Sequence, residues 1–187
     1  DGNEFEIYTR PLLAAIEYLP DLSIIYDAQA SNTQRADLLV SQGARGSFSR
    51  GTHVIRIAGR PAESYSAVRG TMIHEICHAV CYLIWDNACE PFAPSSNEQV
   101  EFNEIYETIY EEYKDTKSRA NLDVIVREVF FYDEEQRTRE LIVRVPQIIA
   151  THGLDYANDL KAKSKGFSSL FDYYKLKVLP KVILYVQ

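Results

Sequence analysis

Ten residues, Thr71-Met72-Ile73-His74-Glu75-Ile76-Cys77-His78-Ala79-Val80, constrain this chain more than any other stretch. They hold His-Glu-x-x-His inside an apolar run of helical spacing. On a helix, side chains four apart stand one above the other, so His74 and His78 aim two imidazoles at one point. Two neutral imidazoles so placed suit Zn2+, and the intervening Glu75 stands where a base for a metal-bound water would stand. At about 100° per residue, His74, His78, Cys81, Tyr82 and Trp85 share one side. Ile73, Ile76, Cys77, Val80, Leu83 and Ile84 share nearly the opposite one. A half-buried helix ordinarily shows water charged or polar residues on its outer side. This one shows histidines, a cysteine and aromatics, which points to a cleft. The bland reading is a core helix whose histidines bond to backbone carbonyls.

The rest of the chain supports a globular setting. Of its 187 residues 46% are hydrophobic and 25% charged, enough apolar material to bury a core. Net charge is −7, from 20 basic and 27 acidic residues. With no basic stripe, direct nucleic-acid binding is not expected. No apolar run reaches the roughly 18 residues that span a bilayer. Cys77, Cys81 and Cys89 are too few for a disulfide framework and fit a reducing compartment. A Cys81 thiolate near the metal is conceivable, with a small buried hydrophobe as the alternative. The chain opens at Asp1, without Met or a signal-like segment, so a processed or excised chain is expected.

In order, Tyr8 to Leu19 has helical spacing, with Pro11 suited to a first turn and Pro20 ending it. Leu22 to Tyr26 is a β-type run, Ser31 to Val40 is helical, and Gly43 and Gly46 punctuate a loop. Thr52 to Ile57 reads as a strand. The motif helix starts between Ala62 and Ser66 and ends near Asn87. Ser95 to Tyr113 is a helix with Phe102, Ile105, Tyr106, Ile109 and Tyr113 on one face. Asp115 to Ala120 is a polar linker, and Asn121 to Tyr132 is helical. Glu134 to Ala150 is a weaker helix that Pro146 should kink or break. Gly153 and Gly166 mark later breaks, and Phe167 to Val178 is rich in aromatics.

Two imidazoles need a third protein ligand, leaving the fourth position for water. Asp86, Glu90, Glu98, Glu101 and Glu104 are the candidates. Projected on the helix, Glu98 falls inside the apolar face, Glu101 at its border, and Glu104 away from it. A carboxylate turned inward is costly unless a charge or metal meets it, so Glu98 gains most from ligation. Its other reading is a capping box, Ser95-x-x-Glu98. Glu107, Glu111 and Glu112 read as a solvated face. One hydroxyl of Tyr106, Tyr110 or Tyr113 is available to steady a developing oxyanion.

Ala44-Arg45-Gly46-x-Phe48, the strand Val54 to Ile57 and the motif stretch together resemble the zincin metalloprotease superfamily. The opening of the motif helix is similar to SprT-like proteases, and the likeness covers roughly the first 115 residues. Asn97-Glu98, with its Glu 20 positions past His78, resembles the ligand pair of gluzincins. Glu101-Phe102 resembles the ligand region of toxin and effector metalloproteases. The resemblance implies Glu98 as third ligand, with Glu101 as runner-up, and offers His152 as an oxyanion partner; a surface histidine is the plainer reading of His152. In zinc peptidases an exposed strand edge can take an extended peptide as a further strand. His53 to Ile57 is the candidate here, an internal strand the alternative.

The expected fold class is α+β, zincin-like, in a single domain over 1–187. Residues 1–90 would supply a small mixed sheet and the motif helix, and 91–187 a helical part carrying the third ligand. The expected function is zinc-dependent hydrolysis of a peptide bond in a protein substrate. His74, His78 and Glu98 would hold the ion, and Glu75 would act as general base. By analogy with fold alone, the setting is a bacterial toxin or effector in a host cytosol. A catalytically inactive zinc-binding interaction module and a purely structural helical protein are the alternatives. The expected partner is a protein or peptide, with no membrane contact and a monomeric state.

Overall fold

The computed structural model describes residues 2–19, 21–27, 46–58, 64–84 and 97–187. Helix α1 spans Gly2–Ala15 and runs into a 3-10 turn, Ile16–Tyr18. Pro11 therefore lies inside the helix, not in its first turn. Burial of Tyr8, Leu12, Ala15 and Leu19 on one face holds the helix across the missing N–H.

Three short strands follow: β1 (Ser23–Asp27), β2 (Gly46–Ser49) and β3 (Val54–Ala58). Their order is β1-β3-β2, with β1 parallel and β2 antiparallel to β3. Ile55 and Ile57 of β3 alternate into the core, as a strand with one buried face requires. The expected substrate-binding edge at His53 to Ile57 is overturned. Among the described residues β3 is the central strand, with Phe48 opposite Ile55 and Ile24 on its other side. Gly46, expected in a loop, opens the edge strand β2. His53 stands in the preceding turn with φ of 50°.

The motif helix α2 is Tyr65–Ile84. Beyond it come α3 (Asn97–Lys114), α4 (Thr116–Arg119) and α5 (Val124–Arg127), the last leading into a 3-10 turn, Glu128–Phe131. The C-terminal helices are α6 (Glu134–Ile142), α7 (Arg144–His152), α8 (Leu154–Lys163), α9 (Lys165–Tyr173) and α10 (Leu179–Tyr185). A π-helical turn, Tyr174–Val178, joins the last two. The single helix expected over 134–150 is broken at Val143, between α6 and α7. Pro146 accounts for the break: it has no N–H for the Ile142 carbonyl, and its ring crowds that carbonyl. The break expected at Gly166 falls at Ser164, between α8 and α9, with Gly166 in the first turn of α9; an added Cβ there would meet Ile109 Cγ1 at 2.5 Å, so the glycine lets α9 close on α3.

Helix α2 lies between the sheet and α7. The two helices run antiparallel: Gly70 faces Thr151, and His74 faces Gln147 one turn further on. A Cβ at Gly70 would overlap the Thr151 hydroxyl, so its absence brings the backbones close enough for that second contact. One hydrophobic cluster runs from Tyr8 in α1 to Val182 in α10. The architecture is α+β, mostly helical with one small mixed sheet. Among the described residues no helix is long and apolar enough to cross a membrane. The helix expected over 31–40, Gly43, Asp86, Glu90 and Cys89 lie outside the described residues.

Candidate metal centre

The motif places its imidazoles as helical geometry demands. His74 Nε2 and His78 Nε2 are 3.1 Å apart, with ring planes crossing at 82°. The carboxylate that meets them comes from the last turn of α6. Glu140 Oε2 lies 3.4 Å from His74 Nε2, and Glu140 Oε1 lies 3.3 Å from His78 Nε2. Among the described residues, His74, His78 and Glu140 are the group able to hold a metal ion.

Helix α7 supplies the support. Gln147 Oε1 accepts from His74 Nδ1 at 2.9 Å and from Arg144 Nη1 at 2.8 Å. An amide oxygen only accepts, so His74 carries its proton on Nδ1 and turns the Nε2 lone pair toward His78 and Glu140. Arg144 Nη2 also donates to Glu140 Oε2 at 3.1 Å. One guanidinium thus orients both the carboxylate and the amide behind the imidazole.

Burial, and then the Arg144 charge, depress His74 to about 4, so its ring is neutral at ordinary pH. Burial opposes charge on His78 too, but the hydrogen bond and charge of Glu140 outweigh it and raise His78. Burial works against the Glu140 carboxylate, yet its close contacts with His74 and His78 hold it well below the usual range. Glu75 lies 3.9 Å from His74 Nε2, and burial raises it to about 7. Its carboxylate accepts from the Phe48 backbone N–H of β2. A Cβ on Gly46 would stand 2.8 Å from Glu75 Cγ and Oε1, so glycine is what lets the edge strand pass over this side chain.

Two imidazoles and a carboxylate converge here within 3.4 Å, donor types that suit a divalent ion. A tetrahedral ion with bonds of about 2.0–2.1 Å separates its ligands by about 3.3–3.4 Å, and the observed spacings are 3.1, 3.3 and 3.4 Å. The donor set fits a divalent metal. A cleft of about 230 Å3 opens beside it, with Gly46, Ser47, Phe48 and Arg50 on one wall and Tyr132, Gln136, Arg139 and Glu140 on the other.

No protein-family model, curated protein or solved structure matches this chain.

His74, Glu75 and His78 are thus brought together as their spacing predicts. Glu98 stands in the first turn of α3, and its side chain lies outside the described residues. Glu101 is away from the histidines, in a separate groove beside Lys177. His152, at the end of α7, lies tilted against Tyr156 with ring centroids 4.5 Å apart and does not line the cleft. Tyr106, Tyr110 and Tyr113 pack around Phe130. The tyrosine that does line the cleft is Tyr132. Cys81 is buried beside Cys77 in the core and both are free thiols. Glu112, expected in water, instead accepts from the Ser164 hydroxyl at 2.6 Å and the Gly166 N–H at 3.1 Å.

Sequence reasoning missed Glu140, Arg144 and Gln147. A signal for them exists: Arg144 and Gln147 sit in Val-Arg-Val-Pro-Gln-Ile-Ile-Ala, where every position from 144 to 150 is buried. An arginine and a glutamine inside an otherwise apolar helix need buried partners.

Proposed function

We propose that this chain is a zinc metallopeptidase of the zincin kind that cuts a peptide bond in a protein substrate. His74, His78 and Glu140 are its metal ligands, Glu140 taking the role first offered to Glu98, and Glu75 is its general base. The observation that carries this reading is the convergence of those three ligands beside Glu75 in one open cleft. Zinc held there would act as a Lewis acid, polarising the scissile carbonyl and making nearby water more acidic.

The protein's own groups do the remaining work. Glu75, buried 3.9 Å from His74 Nε2, is the carboxylate placed to take a proton from the attacking water and return it to the leaving amine. The Phe48 N–H holds that carboxylate in place, and Gly46 leaves room for it. Gln147 and Arg144 keep the His74 ring turned and neutral. Tyr132 stays protonated, its phenol raised by burial, and is the hydroxyl available to a developing oxyanion. Among the described residues the edge beside the cleft is β2, so the peptide-binding role passes from β3 to β2.

The test is to incubate the zinc-loaded chain with an unfolded protein and a mixed peptide library, and to read cleavage by mass spectrometry. Glu75→Gln is expected to keep its zinc by elemental analysis and lose about 10²–10⁴-fold in turnover. Zinc without Glu75-dependent cleavage would leave a metal-binding module and end the peptidase reading. A chain that takes up no metal would end both.

A further inference from the structure

The cleft beside the histidines holds a cation that the hydrolytic machinery does not use. Arg139 lines it from α6, and Arg50 lines it from the β2 side. The Arg139 Nε is buried without a hydrogen-bond partner. Both carboxylates of the cleft are engaged elsewhere: Glu75 accepts from Phe48, and Glu140 meets two imidazoles and Arg144. Arg119, Arg127 and Arg144 also have an orphaned Nε, but none of them lines the cleft. Arg144 uses its outer nitrogens on Glu140 and Gln147, and Arg119 lies over the Tyr113 ring at 5.2 Å.

A guanidinium keeps its charge at any working pH and offers a planar fork that matches a carboxylate. Next to a cleft partly closed to water, a lining guanidinium favours an anionic visitor over a neutral one, its outer nitrogens being the donors within reach. The preference is local, because the chain as a whole carries a net charge of −7. We propose that Arg139 selects substrates bearing a carboxylate beside the bond presented to the metal centre. This rests on the peptidase reading of the same cleft. An acidic side chain and a free C-terminus bring the same group. The first makes the protein an endopeptidase for acidic sequences, the second an exopeptidase.

Four peptides of equal length decide between them: a central Glu or Gln, each with a free acid or an amide at the C-terminus. Their affinities are measured by calorimetry on zinc-loaded Glu75→Gln protein, in which turnover does not consume the ligand. The expectation is about tenfold tighter binding for one kind of carboxylate over its amide. Preference for Glu whatever the terminus assigns the side chain, and preference for the free acid whatever the central residue assigns the C-terminus. In Arg139→Gln the ratio should fall below about twofold, with Arg139→Lys keeping part of it. Equal affinities for all four peptides on the Arg139 protein would overturn the proposal without recourse to any Arg139 variant. So would a ratio that survives Arg139→Gln. Zinc content measured on the same samples separates the two readings. Protein that holds zinc and ignores carboxylates overturns the Arg139 assignment alone. Protein without zinc overturns the metal reading, and the same titration on it still tests Arg139.

Discussion

The cleft under β2 encloses about 230 Å3 and the groove beside α3 and α9 about 370 Å3, and carboxylates line both. In the groove, Glu101 and Lys177 face each other at 3.9 Å with side chains 49% and 45% exposed. Water solvates each charge separately there, so neither needs the other. In the cleft, the side chains of His74 and Glu75 are each 7% exposed, and that of Glu140 is 14% exposed. The same residue types then behave differently: Glu75 rises to about 7 and His74 falls to about 4, burial being the first cause of each. The larger hollow holds ordinary surface charge. What distinguishes the smaller one is the exclusion of water around groups that must answer one another.

Metal affinity tests this contrast with the largest expected effect. Removing a ligand costs more than removing a group that orients one, which itself costs about 10–100-fold. Glu140→Ala should therefore weaken zinc binding by more than about 100-fold, and Gln147→Leu by about 10–100-fold. Glu101→Ala in the groove should leave it unchanged. Competition against a chromogenic chelator reads all three. If Glu98→Ala loses the metal and Glu140→Ala keeps it, the ligand assignment is reversed.

That outcome bears on how much was legible beforehand. His74, Glu75 and His78 were, because a four-residue spacing on a helix is a local rule and α2 obeys it. The break at Pro146 was legible for the same reason, since the clash is with a carbonyl four residues back. The third carboxylate is not a local matter. Glu140 reaches the histidines through the antiparallel packing of α7 on α2, where Gly70 and Thr151 set the approach. No spacing between His78 and Glu140 encodes that. The sheet order was hidden likewise: β3 read correctly as a strand, but its central place depends on β1 and β2 pairing with it from both sides.

Gly46 offers the next largest effect, because it joins strand and cleft. In Gly46→Ala the new Cβ meets Glu75 Cγ and Oε1 at 2.8 Å and Thr71 Cγ2 at 2.9 Å. Overpacking at such a contact should cost about 1–3 kcal/mol in urea unfolding. Glu75 must move to relieve it, so turnover should fall further than stability does. An alanine variant as stable and as active as the native chain would show the contact to be slack.

In the metal-free cleft two buried groups titrate in opposite senses. His74 falls from 6.5 to about 4 on folding, so its contribution is present above pH 6.5 and lost as pH falls toward 4. Glu75 rises from 4.5 to about 7, so its contribution is present below pH 4.5 and lost as pH rises toward 7. Between pH 7 and 5 the two offset each other. Glu75→Gln removes one side of the balance. That variant should lose about 1–2 kcal/mol more than the native chain over this interval. Urea midpoints at pH 7 and pH 5, in a strong chelator, give the difference. Parallel pH dependences in the two proteins would mean that Glu75 is solvated after all.

The smallest effect belongs to the groove. Lys177 and Glu101 sit at the limit of ion-pair distance and are about half exposed. A double-mutant cycle with Lys177→Ala and Glu101→Ala should return a coupling of about 0.2 kcal/mol or less. Lys161 and Asp172 form the internal control, since Asp172 lines the same groove. They approach to 2.7 Å, Lys161 is only 25% exposed, and its ammonium lies 4.4 Å from the Phe171 ring centroid. That pair should couple more strongly, toward about 0.5–1 kcal/mol, and weaken with added salt. A stronger coupling at Lys177–Glu101 than at Lys161–Asp172 would mean that the groove excludes water as the cleft does, and the contrast between the two hollows would then fail.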